Sequence, residues 1–402
     1  MSRAGPSHPQ GIAPRFPAPR AEKRRALLDA VEGVGGRIAA GADEAERTAT
    51  LPAATVQALC ESGLFALKLP AILGGAEADP VLQIEVIERV AQIDASTAWC
   101  MMVGATTIAL PAAFLPDEAL ATLVVGGRVP TAAGVFMPTG RAIEVAGGYR
   151  VSGRWAYASG IRHSQWLSAT ARVVRDGSEV PERRSIVFPT EAAQIHDNWQ
   201  VAGLRGTGSC DFSVEDLFVP QAFTWDVETA RPRRGGPLYR LGFPGFVANE
   251  HAAFALGVAR RALEAILALA RSKARGVKPS LLCGRATFQR YVGESEVRLR
   301  AARALTVAVF DEAWATVCDG RPLPLRLQAE TRSAAVHATE VALDVVTRAF
   351  RFGGGAALYH ASVLQRCLRD LNAGAQHLIV SDTAYENHGQ VALGIPGADP
   401  MA

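Results

Sequence analysis

Apolar residues recur every three or four positions in the first part of the chain, at Ala26, Leu27 and Val31, then at Val56, Leu59, Cys60 and Leu64. That period gathers them on one face of a helix. Pro52 and Gly63 bracket one such helix with start and stop signals. Leu82, Val86, Ile87 and Val90 form the inner stripe of another, predicted over Pro80–Ile93. Asp94-Ala95-Ser96-Thr97 then restarts the chain into AWCMMVGATTIAL, residues 98–110, which is apolar around nearly its whole circumference. A helix of that kind belongs in the core.

Between about residues 129 and 240 the period changes to two. The runs 142–145, 149–151, 166–174 and 185–188 read as strands, with turn chemistry at Gly147-Gly148 and Asp176-Gly177. Helical spacing returns from about residue 244 to 393. Leu256, Ala259, Leu263, Ile266 and Ala270 line one face, and Phe288, Val292, Ser295, Leu299, Ala302 and Val309 the next. A third long helix is expected over about 325–350, and the short links at 276–279 and 320–324 suit an antiparallel bundle. The order is α, β, α, which makes the class α+β. The expected division is a disordered tail over 1–22, a helical domain over 23–127, a β domain over 128–240 and a helical bundle over 241–402.

Composition narrows the function. With 402 residues, 49% hydrophobic and 20% charged, the chain can bury a large core. A net charge of +3, dispersed among acids, gives no footprint for nucleic acid or a membrane face, so small-molecule chemistry is the better expectation. The first residues, with Pro6, Pro9, Pro14, Pro17 and Pro19, lack the apolar core of a secretory signal. No apolar run approaches the roughly 18 residues of a membrane span. The six cysteines form no CxxC or Cys/His cluster, so no metal site is expected and they read as buried free thiols in a reducing cytoplasm.

Candidate chemistry concentrates near the end. Gly353, Gly354 and Gly355 lead into RDLNAGAQH at 369–377. Successive glycines permit positive φ and a close backbone approach to a phosphate or adenine, and they equally suit a plain helix C-cap. Arg271, Lys273 and Arg275 follow a long helix, either as phosphate ligands or as solvated cations favoured at a helix end. His377 offers an imidazole that hydrogen-bonds or accepts a proton near neutral pH. Ser159 can donate or accept one hydrogen bond, and a strand period of two would align it with Tyr157 and Trp155. Phe136 and Tyr157 are aromatics for a ligand or for ordinary packing. Thr106 and Thr107 face a small molecule or bond back to their own helix, and His251, beside Asn249 and Glu250, is a pocket residue or an exposed one. No GxGxxG follows a strand, so direct NAD(P)H use is unsupported.

Four motifs appear in order: GRWAYASG at 153–160 followed by His163 and Trp166, GLRGTGSCDFSVEDLFVP at 203–220, GESEVRLRAARAL at 293–305, and the glycine run with RDLNAGAQH. With the α, β, α order they make residues 25–395 resemble the acyl-CoA dehydrogenase superfamily, and within it the reduced-flavin-dependent, two-component (group D type) monooxygenases. The resemblance implies an N-terminal helical domain, a middle β-barrel or sandwich, a C-terminal four-helix bundle and a homotetramer. It implies reduced FMN or FAD supplied by a partner flavin reductase, and O2 as the oxidant of a small aromatic or heteroaromatic substrate. In that frame Ser159 lies beside the flavin ring with Phe136 and Tyr157 near it. Arg271, Gly353, Gly354 and Gly355 serve its nucleotide part, and His377, with Arg369 and Asp370, supports its reaction with oxygen.

Where a dehydrogenase of this superfamily usually keeps its catalytic glutamate, this chain reads Gln376-His377-Leu378. The alternative, an acyl-CoA dehydrogenase or carrier-bound acyl desaturase with FAD, would need its carboxylate from elsewhere. Phenol-hydroxylating relatives often carry a histidine on the buried first-domain helix, whereas the stretch here is Val103-Gly104-Ala105-Thr106-Thr107. A phenol is therefore not the first expectation, and Thr106, Thr107 and His251 stand as the substrate-side candidates.

Overall fold

The computed structural model describes residues 15–275 and 280–401. The first segment carries α1 (Arg20–Thr48), α2 (Ala53–Ser62), α3 (Pro80–Ile93), α4 (Ala95–Phe114) and α5 (Asp117–Leu123). α2 follows Pro52 and closes at Gly63, whose φ of 80° lets its N–H reach the carbonyls of Leu59 and Cys60. α3 starts on the Asp79 carboxylate, which accepts from the N–H groups of Val81 and Leu82. The tail expected over 1–22 lies outside the described residues as far as residue 14, and from Arg20 the chain is helical. α4 corrects one expectation: it is long and apolar enough to cross a membrane by length and composition. Yet 83% of its apolar window is buried within the protein, which makes it a core helix.

The strands are β1 (Ala132–Val145), β2 (Gly148–Trp155), β3 (Trp166–Arg175), β4 (Ser178–Pro189), β5 (Gln194–Ile195), β6 (Phe212–Pro220) and β7 (Thr224–Asp226). They form one mixed sheet in the order β5-β6-β2-β1-β3-β4-β7, with β1 and β3 parallel and the other pairs antiparallel. Asp176 and Gly177 join β3 to β4 at φ of 49° and 79°, the doubly left-handed turn that suits the sheet's twist. Trp155 anchors the core of this layer. Its ring stacks on Phe212 at 5.2 Å, and its indole N–H donates to the Thr170 carbonyl at 2.8 Å. A Cβ at Gly140 would fall 2.1 Å from that indole, so a glycine makes the room.

The last segment carries α6 (Gly242–Ala270), α7 (Ala286–Cys318), α8 (Leu325–Gly353), α9 (Val363–Gly374) and α10 (Thr383–Ala392). α6 and α7 pack on α8, and α3 packs on α6. The stripe Leu256, Ala259, Leu263, Ile266 and Ala270 is buried as its spacing predicts, each large side chain contributing about 1.5–3 kcal/mol. The expected link at 276–279 lies outside the described residues.

By compactness the chain forms two units. The first holds the described residues up to Ala78, Cys100–Gln200 and Gly206–Gly236, and so contains the sheet; the second holds Asp79–Trp99, Val201–Arg205 and the chain from Pro237 onward. The cysteines are free, but only Cys100, Cys210 and Cys367 are buried; Cys60 and Cys283 are half-buried and Cys318 is exposed, which corrects the expectation of buried thiols for that half.

Candidate functional site

In the first unit the GRWAYASG motif does not run on as a strand. β2 ends at Trp155, and Tyr157 takes a φ of 68°. A left-handed backbone is uncommon for a residue with a Cβ and costs about 1–3 kcal/mol. Trp155 and Ser159 are therefore buried while Tyr157 is 72% exposed, and the expected common face is replaced by a turn. Main-chain bonds from Ala158 to Cys210 and from Gly160 to Thr207 hold that turn against the GTGSC stretch. The result is a buried row of hydroxyls: Ser159 shares a 2.8 Å hydrogen bond with Ser209, and Ser209 one of 2.6 Å with Thr207. Each hydroxyl fixes its neighbour's rotor, so the row can present one directed donor or acceptor to a ligand.

Beside it the exposed Tyr157 ring meets the half-buried Trp199 edge-on at 6.3 Å. Ser209 and Trp199 were not singled out from the sequence, although Ser209 lies inside the second motif. His163, which follows the first motif, sits against Gly160, and burial pushes its pKa down to about 4. Phe136 is half-buried where the pairing of β1 with β3 shifts register between Val135 and Gly140.

The two threonines of α4 part company. Thr107 donates to the Val103 carbonyl of its own helix at 2.7 Å, the common fate of such a residue. Thr106 accepts from the ammonium of Lys68 at 2.9 Å, and Lys68 is fully buried. A lone lysine in the apolar run LFALKLPAIL, residues 64–73, was the available signal.

In the second unit two of the chosen histidines come together. His251 on α6 and His377, just after α9, stack with ring centroids 4.3 Å apart and planes 34° apart. Trp99 presents an edge-to-face contact to each, at 5.4 Å and 5.8 Å, and Phe254 packs on Trp99 at 5.0 Å. Gly374 is required here: a Cβ would sit 2.6 Å from the Phe254 ring. Hydrogen bonds fix both tautomers. His251 Nδ1 donates to the Val247 carbonyl at 3.1 Å, which leaves a lone pair on Nε2. His377 Nδ1 accepts from the Ile379 N–H at 3.3 Å, which places the proton on Nε2. Burial of the imidazole among its neighbours pushes the His377 pKa down to about 4, although the residue as a whole is exposed. His377 is thus a neutral Nε2–H donor lying against the His251 ring.

Arg369 and Asp370 clamp the segment that opens the second motif. Arg369 donates to the Ala202 carbonyl, and Asp370 accepts from the Leu204 N–H at 2.7 Å. A Cβ at Gly203 would lie 2.0 Å from the Arg369 carbonyl oxygen, which accounts for that motif's first glycine.

At the glycine run, Lys273 donates to the Gly353 carbonyl. Gly353 closes α8 at a φ of −60°, Gly354 alone of the three is left-handed at 51°, and Gly355 faces open space. Arg271 is exposed at the end of α6, and the Arg275 side chain lies outside the description. Among the described residues no group of His, Cys, Asp and Glu could hold a metal ion.

Within the first unit, a directed hydroxyl row is the kind of group the polar edge of a flavin ring can bond. Comparison with known proteins gives the family. The chain matches the acyl-CoA dehydrogenase N-terminal domain over residues 21–119 and the acyl-CoA dehydrogenase C-terminal domain over 250–382. It is 30% identical to the indole-3-acetate monooxygenase of Pseudomonas putida, over 98% of both chains. It is also 30% identical to HsaA of Rhodococcus jostii, the oxygenase subunit of a flavin-dependent monooxygenase, over 90% of this chain and 96% of that one. Among solved structures, XiaF from a Streptomyces species, in complex with FADH2 and glycerol, superposes with a TM-score of 0.88 at 27% identity, covering 95% of this chain and 98% of XiaF.

Proposed function

Because this chain belongs to the acyl-CoA dehydrogenase superfamily, in its branch of reduced-flavin-dependent monooxygenases, we propose that it oxygenates a small aromatic or heteroaromatic molecule, with its flavin delivered by a separate reductase. The observation that carries the reading is the stacked pair of His251 and His377. A bound reduced flavin supplies two electrons, so that dioxygen gives one atom to the substrate and the other leaves as water.

His377 donates its Nε2 hydrogen toward the oxygen being transferred. With a pKa near 4 it remains neutral at pH 7 and acts as a hydrogen-bond donor rather than a charged acid. His251 offers the Nε2 lone pair to a hydroxyl or ring N–H of the substrate. Trp99 and Phe254 supply aromatic walls, which favour a flat substrate. Ser159, its rotor set by Ser209 and Thr207, bonds the polar edge of the flavin ring, and the exposed Tyr157 and Trp199 offer it an apolar surface. Arg271, Lys273, Gly354 and Gly355 serve its phosphates, with Phe136 an outlying aromatic contact. Thr106, set by Lys68, is a second polar contact for the substrate, whereas Thr107 stays with its helix.

The relatives support the wider setting. HsaA is named an oxygenase subunit, which supports a partner reductase here; XiaF holds FADH2, which favours FAD over FMN; and the Pseudomonas enzyme is named for an indole acid. The homotetramer and the cytoplasmic location belong to the same proposal. The test is to mix the protein with chemically reduced FAD and a panel of indoles and phenols, then admit 18O2. Label is expected in one product of the panel, whereas reduction of bound FAD by an acyl-CoA, with no labelled product, would overturn the reading.

A further inference from the structure

Arg332 stands on α8 with its side chain fully buried. Its guanidinium donates to the carbonyls of Leu378 at 2.9 Å, Ile379 at 3.3 Å and Pro400 at 3.0 Å, and to the hydroxyls of Ser381 at 3.2 Å and Thr383 at 3.1 Å. Every one of these acceptors is a neutral oxygen. Among the described residues no carboxylate touches this cation, and burying a cation on neutral oxygens is costly, so the arrangement calls for a return beyond ordinary packing. Burial also draws its pKa down, with Asp399 opposing that through space.

Four of the five acceptors, all but the Pro400 carbonyl, cluster on the turn that follows His377, and one peptide unit links the two residues. The Leu378 carbonyl that receives the guanidinium at 2.9 Å and the Ile379 N–H that donates to His377 Nδ1 at 3.3 Å belong to the same peptide group. A cation on the oxygen of an amide withdraws electrons from its nitrogen and makes the N–H a stronger donor. His377 Nδ1 is thereby held as an acceptor and the ring's single proton on Nε2.

We propose that Arg332 is a positioning residue that selects the Nε2–H tautomer of His377, and that the C-terminal segment at Pro400 is part of the same clamp. The inference rests on the reading that the Nε2 hydrogen of His377 serves the oxygen chemistry. Arg332 itself touches neither substrate nor flavin; it acts through the 378–379 peptide.

The tautomer is read directly by NMR of the flavin-free, full-length protein with 15N-labelled histidine at pH 7, the His377 signals being assigned by their loss in His377→Gln. In the unsubstituted protein Nε2 is expected to carry the proton; a proton on Nδ1 overturns the proposal whatever any variant does. Arg332→Lys is expected to move His377 toward a mixture of tautomers and to lower the ratio of oxygenated product to hydrogen peroxide by about tenfold, as for the outer partner of a functional imidazole. In a His377→Ala background the same substitution is expected to cost nothing further. Should Arg332→Lys fail to fold, Thr383→Val removes one hydroxyl partner and is expected to shift the tautomer in the same direction. A folded Arg332→Lys or Thr383→Val protein with unchanged His377 signals contradicts the inference. If instead His377→Ala keeps full coupling while the tautomer still follows Arg332, the clamp stands and the role of His377 in oxygen chemistry falls.

Discussion

The hydroxyl row of the first unit and the imidazole pair of the second are built by different means. Ser159, Ser209 and Thr207 are set by backbone: a left-handed Tyr157 and main-chain bonds lock two short motifs together. His251 and His377 are set by packing, one on a long buried helix and the other on a turn, with Trp99 and Phe254 filling the space around them. The backbone-built row suits a partner of fixed shape, a flavin edge. The packed pair suits a variable substrate and a proton whose position matters. Binding and coupling should therefore separate on mutation.

The largest effect is expected at the second cluster. His377→Ala should lower labelled product per flavin oxidised by about a hundredfold, with hydrogen peroxide making up the difference and flavin affinity little changed. Next comes Ser159→Ala, expected to weaken reduced-flavin binding about tenfold, corresponding to about 1.4 kcal/mol for one hydrogen bond. Titration with anaerobic reduced flavin measures it, and a product ratio that falls as far as in His377→Ala would erase the distinction. Gly140→Ala sharpens the comparison structurally. Its methyl would press on Trp155, destabilising the sheet by about 1–3 kcal/mol, while the NMR signals of His377 stay in place.

The smallest effect is on acid stability, where both clusters respond alike. Burial lowers His163 in the first unit and His377 in the second from an ordinary 6.5 to about 4. Between those values the unfolded chain binds more protons than the folded one, so stability is lost as pH falls from 6.5 toward 4. The melting temperature should drop between pH 7 and pH 5, and His163→Phe should flatten that slope slightly. A slope unchanged by the substitution would remove His163 as a cause.

The helices with a one-sided stripe were legible: α3 begins and ends as its pattern predicts, because Asp79 and Pro80 write its start locally. The turn at Asp176-Gly177 was legible for the same reason. The course of the chain after Trp155 was not. A period of two cannot announce that Tyr157 turns left-handed, since main-chain bonds to residues 207 and 210 decide it. His251 and His377 were each visible as residues, but their stacking depends on how α6 and α9 pack, which no local pattern encodes. Ser209, Trp199, Lys68 and Arg332 escaped notice for a related reason. Each looks ordinary in its own segment and gains meaning only from a distant partner, as Arg332 does from the turn at Leu378.

The most direct measurement is a single turnover. Protein, reduced FAD and an aromatic substrate identified from the panel are mixed with 18O2, and labelled product and hydrogen peroxide are counted for the unsubstituted protein and for His377→Ala. The account predicts product with little peroxide in the first and peroxide with little product in the second, at similar rates of flavin oxidation. Equal product yields from both proteins would contradict it.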